Sequence, residues 1–406
     1  MTTYQPKIDI VIAALNEEQS IGKCLQCLNA QNYPGELVTV YVVVDGRTTD
    51  DTANVAACHG ANVIGSDGTG IAFVRNLGFA QGSGELVGFL DAHCFPEPEW
   101  IAAMVAPFED PMVGGCQGNL QSICDSPVVQ RFLSQSFFSS DQRMIEHTVE
   151  GRFSPYPWVI GGNSMFRRRA IDDAGPSTEC PCDDVDRSWK VFLQGYLLVH
   201  APVARSLHHD HATIGAYLRK RFSMGVGAAQ LAYAYGYAGR RKRGDRRYPR
   251  TLEVTLIDLI YGCGYLSEQL RQRQGVIALP KRTREPVQRR FRPRFSWSAH
   301  DVLQISPDVV FWPVAEECVL CVHLLNGTRM VFDGVANVIF RQLIAAGNKS
   351  ETCAAIAEQF NAEVDSIEND VNEFIESLRK EGLINVLAKS ADSTSEPHVA
   401  APAAVA

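Results

Sequence analysis

Asp91 and His93 stand two residues apart at the end of an apolar run, Leu86-Val87-Gly88-Phe89-Leu90. In an extended chain residues i and i+2 point to the same side, so this carboxylate and imidazole could share a divalent cation. The blander reading is an Asp that caps a turn and a His that is simply exposed. Ala13-Ala14-Leu15-Asn16-Glu17-Glu18 and Asp45 each follow a β-rich run. Carboxylates at strand ends match the N–H and O–H donors of a nucleobase or ribose. Farther on come Gly161-Gly162-Asn163, the acid pair Asp183-Asp184, and His208, His209 and His211. Singly, each of these reads as a loop of turn formers, a solvated face or a surface cluster.

The elements that must position them alternate. Strands are expected over Ile8–Ala14, Leu37–Val44, Ala61–Gly65 and Glu85–Leu90, with helices over Ser20–Leu28, Thr52–His59 and Ile71–Gln81. This βαβα pattern predicts an α/β fold, a doubly wound and mostly parallel sheet with helices on both faces. Ligands of such sheets gather at the carboxyl ends of the strands. The alternation covers residues 1–210, and residues 211–279 read as a helical extension. Within it 251–266 fits an amphipathic helix better than a membrane span, because Glu253 and Asp258 interrupt the apolar run. A Pro- and Arg-rich linker follows over 280–295. Residues 296–388 show short strands and then three helices, with Asp333 and Ser350 as expected caps, a compact winged-helix-like α+β module. The tail, 389–406, is expected to be disordered.

The length, 406 residues, suffices for two domains. No secretion signal or membrane span is expected, and the 12 cysteines then read as thiols of a reducing compartment, which places the protein in the cytoplasm. Cys24/Cys27 and Cys318/Cys321 lack partner pairs at finger-like spacing, which disfavours structural zinc. Net charge is −8, yet residues 240–250 and 281–294 are strongly basic. They read as loop and linker; attraction to anionic lipid, with a peripheral position at the inner face of a membrane, is the second reading. Nucleic acid is not an expected partner, since the module over 333–384 is acidic and would repel phosphate.

Together and in this order, the N-terminal motifs resemble the inverting family 2 glycosyltransferases with the GT-A fold, a nucleotide-sugar-binding mixed sheet with helices on both faces. The resemblance implies donor contacts from Ala13, Leu15, Asn16, Glu17, Asp45, Arg75 (within Val74-Arg75-Asn76-Leu77-Gly78) and Asp91. It implies a metal motif at Asp91-Ala92-His93 completed by His209, holding Mn2+ or Mg2+. It places Gly161, Gly162 and Asn163 on the acceptor side and the catalytic pair at Asp183-Asp184, with Asp184 as base. Two departures stand out: the usual Asp-Asp-Gly-Ser is reduced to Val44-Asp45-Gly46-Arg47, and His93 replaces the usual second Asp. The C-terminal module resembles PqqD-like peptide recognition domains through Phe311-Trp312-Pro313, Leu324-Leu325-Asn326-Gly327, Phe332-Asp333-Gly334 and Glu381-Gly382-Leu383-Ile384. Such domains bind a leader peptide as an added strand, here between Cys318–Leu324 and the helix Val364–Leu378. The implied activity is transfer of a sugar from a nucleotide-sugar, a UDP-sugar favoured, to a ribosomally made peptide. The alternative is a transferase of polysaccharide or glycolipid assembly whose small domain docks a partner protein. A third reading is a binding protein on a dead transferase fold.

Overall fold

The computed structural model describes residues 4–134, 156–210, 213–235, 251–276, 294–296, 301–306, 309–315, 318–323, 329–346 and 348–388. The chain divides into two compact units, residues 1–284 and 285–406. The basic stretch 240–250, most of the 280–295 linker, His211, Leu324–Gly327 and the tail lie outside the described residues.

Unit 1 is built on an eight-stranded sheet in the order β3-β2-β1-β4-β7-β6-β8-β5. Its first half is parallel: β1 (Ile8–Ala14) lies between β2 (Val38–Val44) and β4 (Leu86–Asp91), with β3 (Asn62–Gly65) outside β2. Runs such as Ile-Asp-Ile-Val-Ile-Ala-Ala favour a central strand because branched side chains pack on both faces. The buried Asp9 in β1 pairs with Arg168 at 2.7 Å, so its charge is compensated. Helices α1 (Ile21–Asn29), α2 (Thr52–Cys58) and α3 (Ile71–Gln81) connect these strands. The α1 stripe Ile21, Cys24, Leu25 and Leu28 has the i, i+3, i+4, i+7 spacing and is buried against the sheet.

Beyond β4 the sheet departs from the mostly parallel expectation. β5 (Cys94–Pro96) and β7 (Asn163–Arg167) run antiparallel to their neighbours, whereas β6 (Val113–Ile123) and β8 (Leu197–His209) pair in parallel. The sheet is therefore mixed. Between Gly118/Ala201 and Asn119/Arg205 the β6–β8 register shifts, and Pro202 lies within the bulge. Four further helices have bounds α4 (Trp100–Val105), α5 (Pro127–Ser134), α6 (Arg168–Ala174) and α7 (Asp183–Leu193). Among its described residues the helical extension forms two 22-residue helices, α8 (Ile214–Tyr235) and α9 (Leu252–Arg273). They cross closely: a Cβ on Gly225 would sit 2.1 Å from the Tyr261 carbonyl oxygen, and one on Gly264 2.1 Å from that of Phe222. No helix among the described residues is long and apolar enough to cross a membrane.

Among its described residues unit 2 holds two three-stranded sheets, β14-β10-β9 and β11-β12-β13, and three helices. The strands are β9 (Arg294–Ser296), β10 (Asp301–Ile305), β11 (Val309–Ala315), β12 (Cys318–His323), β13 (Arg329–Asp333) and β14 (Ile384–Ala388). The helices are α10 (Gly334–Ala346), α11 (Lys349–Phe360) and α12 (Val364–Lys380). Leu303, Val319, Phe332, Leu343, Ile375 and Leu378 form its core. One expected cap shifts: Asn348, not Ser350, receives the Glu351 N–H on its side chain.

Candidate active site

β1, β2 and β4 end side by side, and their end loops are tied together by side-chain hydrogen bonds. Asn16 adopts φ 56°, a left-handed turn that Asn tolerates, and its Oδ1 accepts the Thr49 N–H at 2.9 Å. The Glu17 N–H donates to Thr52 Oγ1 (2.8 Å), while the Glu18 N–H donates to Asp50 and the Asp51 N–H to Glu18. Ala13 and Leu15 frame this loop, Leu15 exposed.

Asp91, His93 and His208 converge, each offering one ligand atom within 4.8 Å of the others. His93 Nε2 and His208 Nε2 face each other at 3.1 Å, and His208 Nε2 lies 3.8 Å from Asp91 Oδ2. Octahedral metal bonds of about 2.1 Å place adjacent ligands roughly 3.0 Å apart, so the imidazole separation suits a shared cation. Burial alone would raise the Asp91 pKa. The hydrogen bond to His208 and the charges of Arg75 and His93 outweigh it and hold the carboxyl well below its usual range. Burial likewise works against protonated His208, but Asp210 and Asp91 reverse its effect and the pKa is raised.

His209, expected as the third metal ligand, faces elsewhere. β8 extends through both histidines, so consecutive side chains point to opposite faces. His209 Nε2 meets Asp125 at 3.0 Å near the surface, and His208 takes the expected place.

Beneath the cluster, Arg75 Nη2 donates to Asp91 Oδ1 (2.7 Å) and its Nη1 to Asp183 (3.0 Å). Asp183, 2% exposed, also accepts from Arg187 Nη2 at 2.9 Å. Both of its oxygens are thus engaged by guanidinium groups, which makes it a buried strut. Asp184, one residue on, is only half-buried. Its pKa is raised, chiefly by burial and then by the adjacent Asp183 charge, with Arg75 opposing.

The glycine turn joins these groups. The Gly161 N–H donates to Asp184 Oδ2 at 3.0 Å, and the Asp91 N–H donates to the Gly162 carbonyl at 3.2 Å. A Cβ on Gly161 would lie 2.8 Å from Asp184 Cβ, and one on Gly162 2.1 Å from Asp91 Oδ2. Two consecutive glycines therefore separate Asp184 from Asp91. Asn163 is fully buried and accepts from Trp100 Nε1 at 2.7 Å, a packing role within β7. Three residues escaped the sequence reading of roles. His208 lay among the named histidines; Asp210, beside His208, and Arg187, beneath Asp183, had no distinguishing local signal.

Comparison with known proteins finds two family matches along the chain. Residues 9–175 match the family model described as Glycosyl transferase family 2, and residues 321–384 match that of Coenzyme PQQ synthesis protein D (PqqD). Glycosyltransferase AglE of Haloferax volcanii is 26% identical over 245 residues, 57% of this chain and 76% of that protein. A beta-monoglucosyldiacylglycerol synthase of Synechocystis sp. is 27% identical over 225 residues, 50% of this chain but only 44% of that protein. Among solved structures, a mannosyltransferase from Pyrobaculum calidifontis in complex with GDP-Man and Mn2+ aligns with a TM-score of 0.46 at 18% identity, over 68% of this chain and 76% of that one.

Proposed function

We propose that this chain, whose residues 9–175 belong to the family 2 glycosyltransferases and whose residues 321–384 belong to the PqqD family, transfers a sugar with inversion from a nucleotide-sugar to a ribosomally made peptide. The observation that carries the transferase reading is the placement of Asp184 across a two-glycine turn from Asp91, His93 and His208. The PqqD unit supports the peptide acceptor, since an added strand at a sheet edge is how such a unit holds an extended chain.

Asp91, His93 and His208 would hold a divalent cation, which supplies charge neutralisation for the departing nucleoside diphosphate when bound. Two imidazoles and one carboxylate suit Mn2+ better than Mg2+, which prefers oxygen. Arg75 keeps Asp91 ionised and fixes its orientation. Asp184 accepts the proton of the attacking acceptor group, and its raised pKa makes it a stronger base than a solvated carboxylate. Loops following β1 and β2, with Asn16 and Asp45, border the nucleotide.

Mass spectrometry of the full enzyme with donor, Mn2+ and candidate peptides tests the reading; a hexose-sized gain on a peptide is expected. Asp184→Asn should lower kcat by about 10²–10⁴. In the wild type the acid limb of kcat should lie above the ordinary carboxylate range, because Asp184 must be ionised to act. A limb below pH 4, or an Asn variant of full activity, excludes Asp184 as the base.

A second reading has its own support. Along α9, Leu252, Leu259, Leu266 and Leu270 are exposed on one stripe, and one relative is a glucosyldiacylglycerol synthase. A glycolipid acceptor would account for that face; sugar transfer to diacylglycerol in vesicles, without transfer to any peptide, would establish it.

A further inference from the structure

The resemblance puts Glu17 among the donor contacts, but its side chain turns toward the histidine of the metal cluster. Glu17 Oε1 lies 2.9 Å from His93 Nδ1, and Glu17 Oε2 accepts from Ser20 Oγ at 2.5 Å. Ser20 stands at the N-terminus of α1, so the carboxylate is pinned at both oxygens. An imidazole that donates from Nδ1 presents its Nε2 lone pair, and here Nε2 is the atom that faces His208 and the cluster. The second histidine has a similar neighbour: Asp210 Oδ2 is 3.1 Å from His208 Nδ1, close enough to pair. Ligand histidines in metal sites characteristically lean on a carboxylate in this way, which fixes the tautomer and ring orientation and raises ligand basicity.

We infer that Glu17 is a positioning residue for the cation site: it holds His93 in the Nδ1–H tautomer with Nε2 directed at the metal, and does not contact the donor. The inference rests on the proposed metal site at Asp91, His93 and His208, and goes beyond it by moving Glu17 from the nucleotide to the metal. Its physical content is that removing the carboxylate weakens cation binding while leaving nucleotide binding without cation unchanged.

Mn2+ binding by the full-length protein, followed by electron paramagnetic resonance, separates these roles. Glu17→Gln should weaken Mn2+ by about 10-fold, and Glu17→Ala by up to about 100-fold. Binding of UDP and GDP measured in EDTA should be unchanged in both variants. The 15N shifts of the His93 ring should report the Nδ1–H form in the wild type and a tautomer mixture in Glu17→Ala, a signature that a purely structural role would not move. Loss of nucleotide affinity in EDTA with Mn2+ affinity within twofold of wild type would overturn the inference and restore Glu17 to the donor. A wild-type protein that binds nucleotide but not Mn2+ would overturn the metal site itself, and this inference with it.

Discussion

Arg47 and the Gly70 N–H together occupy the acceptor positions of Asp45. Its backbone N–H and Nε donate to Oδ1 (3.0 and 2.8 Å), and its Nη2 donates to Oδ2 (2.9 Å), which also takes the Gly70 N–H (2.9 Å). The Arg47 hydrogen bonds, more than the opposing burial, bring the Asp45 pKa from 3.8 to about 2. A carboxylate so engaged has no lone pair left for a nucleobase N–H. Arg47→Ser should therefore raise affinity for a nucleoside diphosphate, read by calorimetry, because Asp45 becomes free to accept. Stability should move the other way. A depressed folded pKa contributes stability that is present above the ordinary value and lost as pH falls through about 2. The variant should be slightly less stable than wild type near neutrality, by under about 1 kcal/mol because Arg47 is half exposed, and the two should converge below pH 2 in denaturant titrations. The Asp45–Arg47 spacing was visible in the sequence, but the saturation of the carboxylate was not. It depends on the Gly70 N–H, which the fold brings in from 25 residues away.

Among the elements, the turn before β7 leaves no room for a Cβ. Gly162→Ala would drive a methyl group into Asp91 Oδ2, and Asp91 cannot step aside without breaking its 2.7 Å pair with Arg75. Expected effects are at least a 10-fold loss of Mn2+ affinity and a loss of turnover of about 10² or more, with circular dichroism unchanged. Retained metal binding would mean that the turn relaxes. Elements of this kind show what periodicity conveys and what it omits. The strand Ile8–Ala14 and the helix Ile71–Gln81 were legible to the residue, because apolar spacing and flanking turn formers agree. β8 was not: Pro202, Arg205 and Ser206 break its alternation, the histidines read as loop, and only the continuation of the strand through His209 assigns His208 to the cluster and His209 to Asp125. The antiparallel insertions β5 and β7 also left no local mark, since direction is set by partners distant in sequence.

On the scale of the whole molecule, the proposed function divides between the two units. Each has its own core, so a chain ending at residue 284 should retain metal and nucleotide binding and slow hydrolysis of the donor, while sugar transfer to a peptide falls by at least 10-fold. Peptide glycosylation at full rate by that fragment would assign acceptor recognition to unit 1. The composition changes after residue 280, near the point between residues 284 and 285 where the two units part, and the strand and helix patterning of the second unit conveys its α+β character.

The order of strands in unit 1 has a consequence for synthesis. His93 and His208 are 115 residues apart, and Arg75 and Asp183 are 108 apart. While the ribosome is still extending the chain through β6, the first four strands can pair, yet neither the cation cluster nor the Arg75 bridge has its second half. Contacts of such long sequence separation are the last to be won, because loop closure must be met before they return anything. On the proposed site, a nascent chain would lack the complete cation cluster until residue 208 has emerged, when the last strand of the sheet is also being completed. A cation held as proposed by Asp91, His93 and His208 would then be a late clasp on a finished domain, and its removal should loosen the β4–β8 side of the sheet before the β1–β2 side.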